Sequence, residues 1–392
     1  MDPRTNPYAP GAGHQPPELA GRDDIIERAA IALDRIREGR AARSLITYGL
    51  RGVGKTVLLN RIRSDAEARG ITSVRIEAPE DRSLPGILIP SLRAALLRLS
   101  KGEALKAALS KAMGALASFA KTTKIKYQDV EVAFENEPTK GVADSGDLEV
   151  DLGALFASLG DVAKERNTAV VLFIDELQYV PEAHLAALIS ALHHVSQDQA
   201  PVTMVAAGLP QILGQMGRAK SYAERLFEFV LIDRLDDAAG ERALCRPAQR
   251  VDVAFSKEAI AIILDQTKGY PYFLQEWGKH CWDIARASPI SRVDAEVATG
   301  TALADLDASF FRVRFDRLTP MEKEYLRAMA DLGPGPHRSG DIAERLGRKV
   351  QNVAPLRNGL IAKGMIYAPA HGDTAFTVPL FDGFLKRTMP AP

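Results

Sequence analysis

Apolar residues along the chain follow two rhythms. Short, nearly continuous apolar runs recur at Ser44–Tyr48, Ile71–Glu77, Ala169–Ile174, Val202–Ala207 and Phe227–Ile232. Runs of this kind predict strands buried on both faces, as in a parallel sheet. Between them, apolar residues fall at helical spacing. Ile25, Ile26, Ala29, Ala30 and Leu33 give Asp23–Arg37 one apolar face, and Leu185, Leu188, Ile189 and Leu192 do the same for Pro181–Ser196. Strand–helix alternation predicts an α/β fold with helices flanking a parallel sheet.

The pattern is interrupted three times. Met1–Glu18 carries five prolines and few apolar residues and is expected to be extended or disordered. Residues 80–150 separate the second and third strands by more than a crossover requires, which predicts an insertion or an elaborated helical layer. Amphipathic helices are expected there at Ile89–Leu99, with Pro90 in the first turn, and at Leu105–Phe119, followed by a helix over Leu152–Glu165. Charge segregates in this region, with six lysines between Lys101 and Lys126 and eight acids between Asp129 and Asp151. The two stretches form mutually neutralising solvated faces, or a lysine patch for nucleic acid masked by the acids. Beyond residue 234 strands give way to helical spacing, and a helical subdomain is expected over 235–316. The sheet-bearing core therefore spans 19–234 and a last module 317–392.

The chemistry concentrates where strands end. Gly49-Leu50-Arg51-Gly52-Val53-Gly54-Lys55-Thr56 fits G-x-x-x-x-G-K-[ST] between a strand and a helix. That is the context in which glycines let successive backbone N–H groups turn inward around phosphates, beside a helix N-terminus. Gly49, Gly52, Val53, Gly54, Lys55, Thr56 and Val57 are the candidate nucleotide contacts. Lys55 is expected at the β- and γ-phosphates, and the Thr56 hydroxyl on Mg²⁺. The third strand ends in Asp175-Glu176. At a strand's C-terminal end Asp175 is a candidate Mg²⁺ partner through water, and Glu176 a candidate base for an attacking water. Gln178 either contacts the phosphates or caps the turn. Adjacent His193 and His194 are read as helix-terminal residues favoured by the dipole rather than metal ligands.

The C-terminal module reads as a winged helix. Met321–Asp331, Ser339–Gly347 and Lys349–Lys363 are expected as helices, with Pro355 early in the third or kinking it. A hairpin closes around His371-Gly372-Asp373. If the module reads duplex DNA, the third helix enters the major groove, and Arg348, Lys349, Gln351, Asn352 and Arg357 are the expected contacts. Ten basic against seven acidic residues over 319–392 is a small excess, so protein contact or spacing stays open beside DNA contact.

Composition adds little. The 50 basic and 50 acidic residues cancel, so no global field draws the chain to nucleic acid or membrane. Cys245 and Cys281 lack metal-like spacing and suit a reducing compartment. With no secretory h-region and no apolar run approaching about 18 residues, the expectation is cytoplasmic, with no membrane contact.

These residues resemble the AAA+ and STAND classes of P-loop ATPase, particularly bacterial and archaeal ATPases related to origin-recognition and initiator proteins. Gly21-Arg22-Asp23 is similar to the "GR-acidic" box that helps enclose adenine, and the loop and Asp175-Glu176 match directly. Arg225, before the last strand, looks like an arginine finger for a neighbouring subunit's ATP, which implies a homo-oligomer. Gly269-Tyr270-Pro271 looks like the lid G-x-P motif, with Pro271 near the adenine. The resemblance spans roughly residues 20–390, and only the two core motifs are highly specific. It implies an ATP- and Mg²⁺-dependent switch with Lys55, Glu176 and Arg225 as catalytic residues, gating DNA or a protein partner. Two departures stand out. Gly208 occupies the place of the family's polar sensor, and no lid arginine for the γ-phosphate is evident, so slow hydrolysis or a nucleotide-locked scaffold is the alternative.

Overall fold

The unbroken apolar run of the third strand determines the layers, because its residues are buried on both sides of the sheet. In the computed structural model, which describes residues 1–11, 13–78, 83–100, 106–123 and 138–389, the chain passes through α1 (Asp23–Arg37), β1 (Ser44–Tyr48), α2 (Lys55–Ala68), β2 (Thr72–Glu77), α3 (Leu84–Leu99), α4 (Lys106–Thr122), α5 (Leu148–Glu165), β3 (Val170–Asp175), α6 (Glu182–Gln197), β4 (Val202–Gly208), α7 (Ile212–Ala219), α8 (Ala223–Leu226) and β5 (Phe227–Leu231). The five strands run parallel in the order β2-β3-β4-β1-β5. Val170, Leu172 and Ile174 of β3 face a core made with α3–α6, whereas Val171 and Phe173 face α1 and α2. This is the α/β architecture of the P-loop NTPases, with the strands' C-terminal ends along one edge, where such sheets bind ligands.

Most of the expected elements form within a few residues of their predicted bounds. Helix α3 differs. It starts at Leu84, where the Ser83 side chain accepts from the Gly86 N–H and Pro85 takes the first turn. Pro90, expected in that turn, is interior and removes one helical hydrogen bond. The long region before β3 is a helical layer on the sheet, since Leu92, Leu116, Phe119 and Leu155 are buried in the same core. Half of the segregated charge, namely Lys101, Lys124, Lys126 and the acids from Asp129 to Glu137, lies outside the described residues.

A helical bundle follows: α9 (Asp237–Gln249), α10 (Lys257–Thr267), α11 (Pro271–Ile284) and α12 (Arg292–Leu306), then a π-helical turn (Asp307–Phe311) into α13 (Arg312–Asp316). The last module comprises α14 (Pro320–Leu332), β6 (His337–Arg338), α15 (Ser339–Arg345), α16 (Val350–Ala362), β7 (Ile366–Tyr367), β8 (Asp373–Phe376) and α17 (Phe381–Thr388). Its sheet is antiparallel, in the order β6-β8-β7. Bundle and module share one apolar core, in which Phe311 stacks on Phe384 at 5.3 Å. No helix among the described residues is long and apolar enough to cross a membrane.

Within residues 1–18, expected to be extended or disordered, described residues on both sides of position 12 are pinned to the bundle. Trp282 Nε1 donates to the Asp2 carbonyl at 2.9 Å, and Asn6 Nδ2 donates to the Lys279 carbonyl at 3.1 Å. Tyr8 is buried against Gly278, and its hydroxyl donates to the Leu244 carbonyl. One aromatic ring and a few side-chain hydrogen bonds order a segment whose composition alone gives no apolar pattern.

Candidate functional site

The loop from β1 to α2 forms the floor of a cavity of about 490 Å³ at the C-terminal edge of the sheet. Gly52 and Gly54 hold φ of +81° and +90°, a region that L side chains enter only with strain, and α2 begins at Lys55 with its N-terminus toward the cavity. Gly52 also accepts the Tyr272 N–H at 3.1 Å, which ties the loop to α11. Gly49 does not line the cavity. It packs beneath the loop, where a Cβ would meet the Ile232 carbonyl at 2.0 Å.

Lys55 is buried and donates to the carbonyls of Gly49 at 3.0 Å and Leu50 at 2.8 Å. Burial pushes its ammonium down to about 8, against the pull of Glu176 and Asp175. The Thr56 hydroxyl hydrogen-bonds Asp175, whose carboxyl burial nevertheless raises above its ordinary range. Glu176 sits in left-handed backbone, φ +53°, and turns its carboxylate to Gln178 Nε2 and to Arg51, the latter at 3.9 Å. Gln178 Oε1 accepts the Leu209 N–H at 2.9 Å and lies 3.1 Å from where a Gly208 Cβ would stand. Strand β4 thus separates the loop strand from the acidic strand, with the Gly208 carbonyl accepting the Gly49 N–H at 3.2 Å.

The opposite wall comes from the bundle and the chain before α1. Arg22 is buried and donates to the carbonyls of Asp233 and Val53, and burial lowers its guanidinium. Pro271 opens α11 beside it. The structure therefore brings Arg22, Gly52–Val57, Asp175, Glu176 and Pro271 around one cavity. Arg225 is not among them. It is exposed two residues before Phe227, which pairs with Ser44 at the other end of the sheet.

A cavity-lining arginine escapes the sequence pattern. Arg314, in α13, donates to the Phe310 carbonyl and lies 4.1 Å over the Phe310 ring. Burial, then Arg51, pushes its guanidinium down to about 10. Tyr272 stacks on Phe310 at 4.7 Å, so the aromatic cluster of the bundle carries this arginine into the site. The sole signal was its position one turn after Phe310-Phe311, which only the tertiary path makes meaningful.

Five cations (Arg22, Arg51, Lys55, Arg75 and Arg314) line the same cavity as four carboxylates (Glu18, Glu77, Asp175 and Glu176). A buried ammonium bound to loop carbonyls and a hydroxyl paired with a carboxylate suit a polyphosphate with a divalent cation, and the volume lies in the range of small-ligand sites. Among the expected DNA contacts, Arg348, Lys349, Gln351 and Asn352 are exposed around the start of α16. Arg357 points inward, donating to Thr374 Oγ1 and the Asp373 carbonyl, both at 2.9 Å, and clamps α16 to β8.

Residues 18–205 match the family model described as AAA ATPase domain, a stretch that holds the phosphate loop, Asp175 and Glu176. Residues 308–385 match a model described as a domain of unknown function. No curated protein matches. Among solved structures, a Walker-type ATPase of Pyrococcus abyssi is similar at 18% identity and TM-score 0.60, over 94% of this chain and 96% of that one. Orc1 of Aeropyrum pernix, solved in complex with DNA, is similar at 15% identity and TM-score 0.47, over 95% and 94%. The RuvB Holliday junction branch migration motor of Thermotoga maritima gives 16% and 0.46, over 97% and 100%.

Proposed function

We propose that the chain is an ATP-binding and ATP-hydrolysing switch whose C-terminal module senses the state of the phosphate loop. One observation carries this reading. Arg51, inside the loop, donates its main-chain N–H to the Thr377 carbonyl at 2.9 Å, while its side chain reaches Glu176 and the Tyr179 hydroxyl. A single residue joins the phosphate loop, the candidate base and the module. The geometry supports roles for each group. Lys55 exchanges its loop carbonyls for β- and γ-phosphate oxygens, and the loop N–H groups and α2 N-terminus hold the rest of the chain of phosphates. Thr56 and Asp175 would hold Mg²⁺, which when bound neutralises phosphate charge. Glu176 takes the proton of the attacking water, and for that its carboxylate leaves Arg51 and Gln178. Pro271 and Arg22 border the base. Arg314 approaches the γ-phosphate, the role for which the sequence offered no residue.

The module's order α14-β6-α15-α16-β7-β8 supports the winged-helix reading, and the exposed turn at Arg348, Lys349, Gln351 and Asn352 is the surface for duplex DNA. Arg225, outside the cavity, acts as a finger only across a homo-oligomer. A second reading, a nucleotide-locked regulator with negligible turnover, is favoured by Gly208, which presents no side chain to orient water. Steady-state ATP turnover with and without duplex DNA, with Glu176→Gln as control, separates them. Turnover that DNA raises and the variant lacks supports the gated switch. Tight ATP binding without turnover in either condition supports the locked regulator and overturns the first reading.

A further inference from the structure

The same cavity has a wall that the loop motif does not supply. Pro10, Gly11, Gly13 and His14 line it from the N-terminal side. At Gly13, φ is +72° and a Cβ would lie 3.4 Å from Thr56 Cγ2, so this backbone reaches the side chain expected to hold Mg²⁺. At Gly11 a Cβ would meet the His14 ring at 2.4 Å. At Gly13 the left-handed backbone suits glycine and lets the chain turn close to the loop, while Gly11 leaves room for the His14 ring. Both flanks of this stretch are fixed to the helical bundle. On one side Tyr8 is sunk between α9 and α11, its hydroxyl on the Leu244 carbonyl and its ring against Gly278. On the other, Glu18 pairs with Arg246 at 3.0 Å and Arg250 at 2.7 Å, and Arg250 also donates to the Pro17 carbonyl at 2.7 Å. A nucleotide on the loop is therefore enclosed between this strap and the bundle.

We propose that the strap around Gly11, Gly13 and His14 is a wall of the nucleotide site that governs how fast nucleotide leaves. This rests on the nucleotide-binding reading above. Strap and bundle are joined by buried and charged pins, so release requires the pins to break or the two to lift together. The strap thereby sets the lifetime of the bound state without touching the hydrolytic residues.

The test is release of a fluorescent methylanthraniloyl-ADP, chased with excess ADP, from the full chain and its variants. Deletion of the first sixteen residues is expected to speed release by about tenfold, with binding still measurable. Tyr8→Phe, which keeps the ring and loses one hydrogen bond, is expected to speed it about threefold. Arg246→Ala with Arg250→Ala, two exposed pins outside the cavity, gives a similar modest rise and serves if the deletion does not fold. Release within about twofold of the unmodified chain in both Tyr8→Phe and the double arginine variant overturns the proposal. If the unmodified chain binds no nucleotide, the nucleotide reading itself falls. If it binds tightly and the strap variants release at its rate, only the strap inference falls.

Discussion

The main-chain N–H of Arg51 and the carbonyl of Thr377 meet at 2.9 Å, so the phosphate loop and the end of the C-terminal sheet share a hydrogen bond. The Thr377 hydroxyl in turn donates to the Gly364 carbonyl, and Gly364 holds φ +64°. A Cβ there would stand 3.0 Å from Arg51 Nη2, 3.1 Å from Leu209 Cδ1 and 3.3 Å from the Tyr179 hydroxyl. Gly364→Val therefore combines backbone strain with a wedge between module and core, and should destabilise the chain by about 2 kcal/mol. Urea unfolding measures this. A variant as stable as the parent would mean that the module does not seat on the loop.

The burial of Lys55 costs the folded chain stability. Its ammonium is buried, and its folded pKa of about 8 lies below the ordinary 10.5. Between those values the folded chain binds fewer protons than the unfolded chain, so this group makes stability rise with pH across that window. Below it, the buried charge is a penalty on the order of 3 kcal/mol, partly offset by hydrogen bonds to Gly49 and Leu50. Lys55→Ala should abolish ATP binding. It should also stabilise the nucleotide-free chain at pH 7, by an amount that shrinks toward pH 10.5. Calorimetric unfolding at several pH values reads the second effect. Equal pH dependence in both proteins would place the charge of Lys55 in solvent instead of the cavity.

Glu176 is restrained on two sides, by Gln178 Nε2 and by Arg51 at 3.9 Å. Glu176→Gln keeps the shape and removes the proposed base, so ATP affinity should stay within about threefold while turnover falls at least about a hundredfold. Equilibrium binding and single-turnover hydrolysis, measured on the same sample, separate the two effects. If turnover survives, another group accepts the proton.

The strands were legible because a parallel sheet buried on both faces writes itself as local apolar runs, and the loop because its glycines and Lys55 are contiguous. What was not legible depends on distant partners. Tyr8 orders the N-terminal strap only because α9 and α11 leave a slot at Gly278. Arg357 looks like a groove-facing cation on α16 until β8 supplies Thr374 and Asp373 as its acceptors. The start of α3 was misplaced because two prolines compete for the first turn, and the Ser83 cap selects Pro85.

Arg314 shows the same limit and carries the last prediction. It follows α12 through the π-helical turn at Asp307–Phe311, which adds a residue to the helical register and so redirects the side chains beyond it. There its guanidinium lies over Phe310 and is pushed down by the charge of Arg51, and both arginines line one cavity. Arg51 is partly compensated by Glu176, whereas Arg314 still favours an anion in the cavity, and the triphosphate brings more negative charge than the diphosphate. Arg314→Ala should therefore weaken ATP binding by about tenfold or more while changing ADP binding much less. Isothermal titration with a non-hydrolysable ATP analogue and with ADP gives both numbers. Equal losses for the two ligands would place Arg314 away from the terminal phosphate and make it a structural partner of Phe310.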